Sequence, residues 1–337
     1  KGNAGDTAIN CAFNYMFETE FPNARISFLN CRKIFSQDDI EYVNQADVLF
    51  VCGGGLFLHD TFKNNVSDWQ WGISKKLLKK ITIPIVVYAV GYNKFRRQRE
   101  FNSLFDDTVT ELLRKSIFFS LRNTGSCESI KKHVSNEFHN KISLNFCPTL
   151  CLNKKFGFVN SSDTNSVGFI IAGDRLDNRH NDLPKFIAGM GKFVEYLKTK
   201  GKKTVLINHQ NDFWLKQYID FDEYIDLFEK ECDYIYETYS NIETVVCDRG
   251  HGQMIPFSCG CKILTVTSHD KLKWFLDDID LNEFSVDEYD KLLSEKLIDK
   301  FTSLENFDWK KMHHERMNMI FDINNKNLKY IKNQIIK

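Results

Sequence analysis

The chain has 337 residues, which is enough for two domains or one large one. Its 45 basic and 45 acidic side chains cancel, so no net charge draws the protein to nucleic acid or to an anionic membrane. Apolar residues make up 42% of the chain, enough for sizeable cores, yet no apolar run approaches the length of a transmembrane helix.

The chain opens on a glycine-containing loop, KGNAGD, which leads into an apolar helical pattern from Ile9 to Phe17. A glycine-rich loop at a helix N-terminus can hold an anion or a substrate. Asn3 and Asp6 are therefore candidate substrate-binding residues. Loops of this composition also occur as plain tight turns, so this signal is weak by itself.

Strands and helices alternate through the first half of the chain. Apolar runs predict strands, and amphipathic stretches predict helices. The predicted strands are 25–29, 46–52, 83–91 and 116–121, and the predicted helices are 9–17, 37–44, 69–80, 101–114 and 124–133. This alternation is typical of a parallel sheet with helices on both faces.

Two predicted strands of this half end in residues suited to binding. The strand at 46–52 runs into Gly53, Gly54 and Gly55, where the backbone must come close to a ligand or to another chain segment. His59 follows, with either a functional or a local capping role. Arg122 stands at the carboxyl end of the strand at 116–121, where a guanidinium group can hold an anion.

A polar stretch, residues 152–165, predicts a linker before a second α/β half. The second half has predicted strands at 166–172, 203–208, 244–246 and 262–266, and predicted helices at 185–200, 221–239, 253–259, 271–278 and 306–337. We therefore expect an N-terminal domain over 1–155 and a C-terminal domain over 164–290. A helical segment over 291–337 is expected to pack back toward the first domain.

Charged residues also follow the strands of the second half. Arg175 and His209 come after its first two strands, and Arg249 and His251 come after the third. Ligands of open α/β sheets bind at the carboxyl ends of strands. Arginine holds carboxylate or phosphate with a planar fork, and histidine moves a proton near neutral pH. The pattern indicates a transferase or lyase with an anionic substrate. The alternative is a loop in which Arg249 pairs with Asp248 and His251 caps the next helix.

The ten cysteines lie mostly inside apolar runs, which is typical of buried, reduced thiols in a cytosolic protein. Neither Cys147 with Cys151 nor Cys259 with Cys261 has a second pair at zinc-ribbon spacing. With no signal peptide in view, we expect a cytoplasmic protein without a structural metal.

Seven segments then follow one another in a defined order: GNAGDTA, ADVLFVCGGGLFLHD, IPIVVYAVG, SLRNTGSCESI, CPTL, DRGHGQMIPFSCG and KLKWFLDDIDL. In this order and at these spacings they resemble the polysaccharide pyruvyl transferase family over nearly the whole chain. Two positions depart from the family pattern. The usual glycine-x-glycine after the third strand reads AVGYN, and Asn123 replaces the aspartate that often follows Arg122.

The resemblance implies transfer of the enolpyruvyl unit of phosphoenolpyruvate to a sugar of a glycan or glycan precursor, with a cyclic ketal and phosphate as products. It implies an α/β fold of two Rossmann-like domains facing across a cleft, as in GT-B glycosyltransferases. Arg249 and His251 match the family's R-x-H, and Arg122 matches its S-x-R. No cofactor or metal is implied. We expect the glycine run, Arg122, Arg249 and His251 to converge on one site. Arg122 and Arg249 would hold the carboxylate and the phosphate of the donor, and Arg249 and His251 would be the catalytic residues.

Two other functions are compatible with the sequence. A nucleotide-sugar glycosyltransferase of GT-B type would use Arg175 or His209 at its phosphates. A non-catalytic scaffold of a capsule-synthesis complex would be indicated by loss of Arg249 or His251, and both are present. The expected partners are phosphoenolpyruvate and a glycan or lipid-linked sugar, without nucleic acid. Peripheral membrane association and homo-oligomerisation are both compatible with this reaction.

Overall fold

A computed structural model describes residues 2–158 and 164–336 of the chain. Its strands form two sheets, one of four strands and one of six. The strands are β1 (Leu49–Cys52), β2 (Ile85–Val90), β3 (Ser116–Leu121), β4 (Ile142–Leu144), β5 (Ser166–Ile170), β6 (Lys203–Asn208), β7 (Glu223–Asp226), β8 (Thr244–Cys247), β9 (Lys262–Thr267) and β10 (Ser285–Asp287).

Helices connect these strands. They are α1 (Ala4–Glu20), α2 (Gln37–Val43), α3 (Lys75–Leu78), α4 (Ser103–Lys115), α5 (Thr124–Lys131), α6 (Asn153–Phe156), α7 (Leu176–Arg179), α8 (Leu183–Thr199), α9 (Cys232–Ser240), α10 (Gly250–Ser258), α11 (Asp270–Asp278), α12 (Leu293–Glu305) and α13 (Trp309–Ile335). Within the described part of the chain, no helix combines the length and apolar character needed to cross a membrane.

The four-stranded unit comprises Phe21–Lys94, Gln98–Cys147 and Ile320–Lys337. Its strands pair in the order β1-β2-β3-β4, and all are parallel. β2 is apolar and buried along its whole length, as expected for a strand covered on both faces. The β2–β3 register shifts between Val87 and Val90, and Ala89 there has a positive φ of 53°. Such irregularities redirect the chain at the end of a strand.

The six-stranded unit comprises Lys1–Glu20, Phe95–Arg97 and Pro148–Met319. Its parallel strands pair in the order β10-β9-β8-β5-β6-β7. Read from its first strand, β5, this is the order of the Rossmann fold. Ala4, Ala8 and Ala12 of α1 belong to the buried core of this unit, together with residues of β5, β6, α9 and α10.

The two units differ from the predicted domain limits. Helix α1, predicted in the first domain, belongs to the six-stranded unit because its alanine face is buried in that core. The division falls between residues 147 and 148, ahead of the predicted linker at 152–165. Within that linker, Asn153–Phe156 is helical, and residues 159–163 lie outside the described part. The end of α13, from Ile320, belongs to the four-stranded unit.

Three predictions of secondary structure are wrong. Residues 25–29 form an exposed segment without strand pairing, in which Phe28 is 68% exposed. The helix predicted at 69–80 shrinks to α3, because Trp69 and Trp71 are buried in a loop in which the Ser67 hydroxyl donates to the Trp71 carbonyl. The helix predicted at 221–239 is β7 followed by α9, since residues 223–226 pair with β6.

Candidate functional site

The centre of the six-stranded sheet is a switch point, because β5 pairs with β6 on one side and with β8 on the other. Crevices at the carboxyl ends of strands beside a switch point are where ligands of open α/β sheets bind. Arg175 follows β5 and Arg249 follows β8, so these predicted residues lie at this position. His251 lies in the first turn of α10, which begins earlier than predicted.

Arg249 is held by two carboxylates and a backbone carbonyl. Its Nη2 donates to Asp212 Oδ1 at 2.7 Å, to Asp174 Oδ1 at 2.9 Å and to the Gln210 carbonyl at 3.1 Å. Burial alone would lower the pKa of Arg249, but Asp212 and Asp174 outweigh it and raise that pKa. Arg249 is therefore paired, as the structural alternative proposed, but with these two aspartates instead of Asp248.

The other charges near Arg249 are paired as well. Asp248 accepts from the Ala172 N–H at 2.7 Å and faces Arg179 Nη1 at 3.8 Å. Burial opposes ionisation of Asp174, yet Arg179, Arg249 and Arg175 lower its pKa to about 2. Arg175 has a left-handed backbone, with φ of 58°, and its guanidinium group bonds Asp174 and lies 5.7 Å from the Phe95 ring. Arg175 is thus part of this ion network.

The N-terminal segment joins the same group of loops. The Ala4 N–H donates to the His209 carbonyl at 3.2 Å, and Asn3 Nδ2 donates to Gln210 Oε1 at 3.1 Å. Asn3 Oδ1 accepts from the Gly5 N–H at 2.8 Å, which caps α1. These donors are used within the protein, which disfavours the predicted anion cradle at this helix end. Asp6 is exposed in the first turn of α1.

His209 is fully buried, and its Nε2 makes a short hydrogen bond with the Tyr239 hydroxyl. Its Nδ1 has no partner in the described part of the chain. Burial, and then the charge of Arg249, lowers the pKa of His209 to about 3. The imidazole is therefore neutral at physiological pH and has no exposed edge, which disfavours direct contact with a substrate.

The surroundings of Arg122, in the four-stranded unit, differ from those of Arg249. It follows β3, is 3% exposed, and has no carboxylate partner among the described residues. Its Nε has no hydrogen-bond partner there, and burial lowers its pKa. Burying an ion typically costs several kcal/mol when nothing compensates its charge. Asn93 and Arg122 both adjoin Gly55, and Asn93 Oδ1 also has no partner. This arrangement is suited to an anionic ligand.

The glycine run beside Arg122, Gly53 to Gly55, lies against the backbone at the end of β2. Gly53 and Gly54 have positive φ values of 39° and 72°, which side chains rarely adopt. The Gly53 N–H donates to the Tyr88 carbonyl, and the Gly54 carbonyl accepts from Gly91 at 2.7 Å. The run thus extends the contact between the ends of β1 and β2.

His59 is 7% exposed, and its ring centroid lies 5.4 Å from that of Phe101. Its Nδ1 has no partner among the described residues. Burial, followed by the charge of Arg99, lowers its pKa. The ring is therefore packed into the four-stranded unit.

The predicted site residues thus form two groups. Asn3, Asp6, Arg175, His209, Arg249 and His251 belong to the six-stranded unit, and Gly53, Gly54, Gly55, His59 and Arg122 belong to the four-stranded unit. Their convergence on one site stays a prediction. Sequence reasoning missed the contacts of Arg249 with Asp174, Asp212 and Gln210, and the position of Asn93 beside Arg122. Over residues 2–158 and 164–336, no cluster of three or more metal-binding side chains is present.

Comparison with known proteins identifies the family. A family model described as polysaccharide pyruvyl transferase matches residues 3–270, a range that contains all of the residues in both groups. No curated protein matches the sequence.

Solved structures share the fold at low sequence identity. S. aureus MnaA in its UDP co-structure has a TM-score of 0.55 at 9% identity, and the match covers 97% of this chain and 91% of that one. UDP-GlcNAc 2-epimerase from Methanocaldococcus jannaschii has a TM-score of 0.52 at 13% identity, covering 90% and 89%. An alpha-glucosyltransferase in complex with UDP and a 13-mer DNA has a TM-score of 0.51 at 12% identity, covering 100% and 97%. The predicted GT-B-like α/β class is confirmed.

The burial of His209 predicts a pH dependence of stability. In the unfolded state the pKa of a histidine is about 6.5, whereas in the folded protein the pKa of His209 is about 3. Between these two pH values the unfolded state therefore carries one more proton, on His209, than the folded state. Stability should therefore fall as the pH drops through this window. We expect His209→Gln to reduce this slope by up to about 1.4 kcal/mol per pH unit. Urea unfolding at several pH values measures the slope, with the exposed His314→Gln as control. An unchanged slope in His209→Gln contradicts the prediction.

Two glycines beside Arg122 predict contrasting effects on anion binding. A Cβ at Gly91 would lie 2.6 Å from Arg122 Cζ, whereas one at Gly55 would meet Arg122 Nη2 at an ordinary 3.8 Å. Gly91→Ala should displace Arg122, and Gly55→Ala should not. At ten times its Kd, inorganic phosphate would stabilise a binding-competent protein by about 1.4 kcal/mol. In thermal unfolding with phosphate, the wild type and Gly55→Ala should show this gain in stability, and Gly91→Ala should not. Equal gains in all three proteins would refute anion binding by Arg122.

Proposed function

This chain belongs to the polysaccharide pyruvyl transferase family, and we propose that it moves the enolpyruvyl unit of phosphoenolpyruvate onto two hydroxyl groups of one sugar. The products would be a cyclic pyruvate ketal and phosphate. The acceptor would be a glycan or a lipid-linked sugar. We place the reaction in the cytoplasm because phosphoenolpyruvate is an intracellular metabolite.

The proposed reaction breaks the bond from C2 of phosphoenolpyruvate to the phosphate oxygen. Two bonds form from C2 to sugar oxygens, and C3 becomes a methyl group by gaining one proton. The two hydroxyl groups lose one proton each, so the second proton leaves with phosphate. The protein therefore has to bind a donor with two anionic groups, a carboxylate and a phosphate, and to move protons to and from its ligands.

The observation that carries the proposal is the buried, uncompensated charge of Arg122. A guanidinium group without a carboxylate partner can form two parallel hydrogen bonds to a carboxylate or phosphate. Asn93, beside the same glycine, adds a polar side chain at this position. We assign an anionic group of phosphoenolpyruvate to Arg122 because its charge would then be compensated.

We assign proton transfer to His251. It is half-buried in the first turn of α10, at the carboxyl end of β8 and beside the switch point. The N-cap position of this helix is Arg249, and His251 is the second residue of the helix. Histidine is the side chain whose unperturbed pKa is nearest to physiological pH, so it is well suited to act as general acid or base. Arg249 enters the proposal as the residue that holds the loop before His251.

A nucleotide-sugar glycosyltransferase is the second candidate, because two structurally similar proteins are described in complex with UDP. This function would place phosphates at Arg175 or His209. Arg175 is bonded to Asp174, and His209 is buried and neutral. Neither offers an uncompensated positive charge, so this function is disfavoured. Incubation with glycans and either phosphoenolpyruvate or UDP-sugars, followed by mass spectrometry, separates the two.

Arg122→Met should separate binding from stability. Removing an uncompensated buried charge should leave the stability of the ligand-free protein unchanged or raised, while the stabilisation by phosphoenolpyruvate is lost. Arg179→Met is a matched control, since Arg179 is also 3% exposed but faces Asp174 and Asp248. That change should cost about 3–5 kcal/mol, because it leaves buried carboxylates unpaired. Thermal unfolding with and without phosphoenolpyruvate measures both effects. Retained stabilisation in Arg122→Met would remove Arg122 from the site.

His251→Ala should lower turnover far more than it weakens phosphoenolpyruvate binding. Proton transfer is used in the transition state and contributes typically 10²–10⁴-fold to the rate. The measurements are phosphate release in the presence of glycan acceptors, and calorimetric binding of phosphoenolpyruvate to the same preparation. Wild-type phosphate release by a folded His251→Ala protein would exclude His251 from the chemistry.

A further inference from the structure

We propose that Gly5 is a positioning residue for His251. Because Gly5 has no side chain, His251 can occupy the space that a Cβ at position 5 would fill. A Cβ added at position 5 would stand 2.7 Å from His251 Cγ and 2.8 Å from His251 Cβ. Non-bonded carbon atoms normally approach to about 3.5–4.0 Å. The proposal concerns the site of the proposed function and rests on that function for its catalytic consequence.

Rotation of the His251 side chain would not make room for a methyl group at position 5. The clash includes His251 Cβ, and the backbone of α10 sets the position of that atom. The helix is itself confined, since a Cβ at Gly252 would lie 3.2 Å from Ile170 Cγ2 and 3.3 Å from Cys247 Cβ. Relief on this side must therefore move the N-terminus of α10 and, with it, the imidazole.

The opposite side of the contact is equally constrained. Ala4, next to Gly5, is fully buried, and its N–H donates to the His209 carbonyl. Asn3 caps Gly5 and also bonds the Gln210 side chain, while the Gln210 carbonyl accepts from Arg249. The first turn of α1 is thus joined to the loop that holds Arg249. The N-terminal segment therefore positions His251 from one side, and the loop after β8 positions it from the other.

The contact between Gly5 and His251 would matter for catalysis because it fixes the position of the imidazole. A general acid or base works only within hydrogen-bond reach of its proton, and a misplacement of about 1 Å can lower the rate about 100-fold. Alanine is a better helix former than glycine, so helix propensity in α1 would favour Gly5→Ala. A loss of function in this variant would accordingly come from displacement of His251.

The test compares Gly5→Ala with two glycine controls in the same unit. Gly191 is a helical glycine whose added Cβ would meet only Ile219, at 3.9 Å, and Gly2 would meet nothing within 4 Å. The imidazole signal of His251 is assigned by its disappearance in His251→Ala. We expect this NMR signal to shift in Gly5→Ala and to stay in place in Gly191→Ala and Gly2→Ala. An unshifted signal in Gly5→Ala overturns the proposal.

Turnover is measured on the same variants and separates the positioning role from the proposed function. If Gly5→Ala shifts the signal, lowers turnover about 100-fold and retains phosphoenolpyruvate binding, both the positioning role of Gly5 and the catalytic role of His251 are supported. A shifted signal with wild-type turnover supports the positioning role but removes His251 from the chemistry.

If the Gly5→Ala protein fails to fold, the double variant Gly5→Ala/His251→Gly tests whether the clash with His251 is the cause. The His251→Gly change removes both the clashing Cβ and the ring. Folding of the double variant supports the proposal. If His251→Gly folds alone but the double variant does not, the clash lies elsewhere and the proposal fails.

Discussion

One guanidinium group joins three loops at the carboxyl edge of the six-stranded sheet. Arg249 follows β8, Asp174 follows β5 and Asp212 follows β6, and the arginine bonds both carboxylates and the Gln210 carbonyl. Breaking one partner of such a buried pair typically costs about 3–5 kcal/mol. These bonds therefore keep the switch point of the sheet in one arrangement. The helix that carries His251 begins directly after Arg249, so its placement depends on this interaction.

The two arginines at strand ends have different physical roles because their neighbours differ. The charge of Arg249 is compensated within the protein, whereas that of Arg122 has no carboxylate partner in the described part of the chain. A compensated buried charge contributes to structure, and an uncompensated one makes the protein less stable until an anion binds. Destabilised groups of this kind are found where function requires them. We therefore propose Arg122, and not Arg249, as the anchor for a substrate anion.

Glycine is used for two different reasons near these groups. Gly53 and Gly54 have backbone angles that side chains rarely adopt, and they bring the end of β1 against the end of β2. Gly5 and Gly91 are required for space, because a side chain there would overlap His251 or Arg122. His251 and Arg122 thus each lie directly against the backbone of a glycine.

The sequence by itself determined the α/β class, most of the central strands, and the presence of Arg122, Arg249 and His251 at or just beyond strand ends. These features follow from local patterns: apolar runs make buried strands, and polar residues after them come to the edge of the sheet. Only the tertiary structure decided which charges are compensated. The partners of Arg249 are 75 and 37 residues away in the chain, and no local pattern links them.

The same limit explains the errors in the fold. Residues 25–29 have the composition of a strand but find no pairing partner, and residues 223–226 look helical but pair with β6. The position of helix α1 in the chain predicts that it belongs to the first domain, whereas its buried alanine face places it with the six-stranded unit. Pairing, burial and charge compensation depend on residues that are distant in the chain, so they are properties of the folded molecule and not of any single segment.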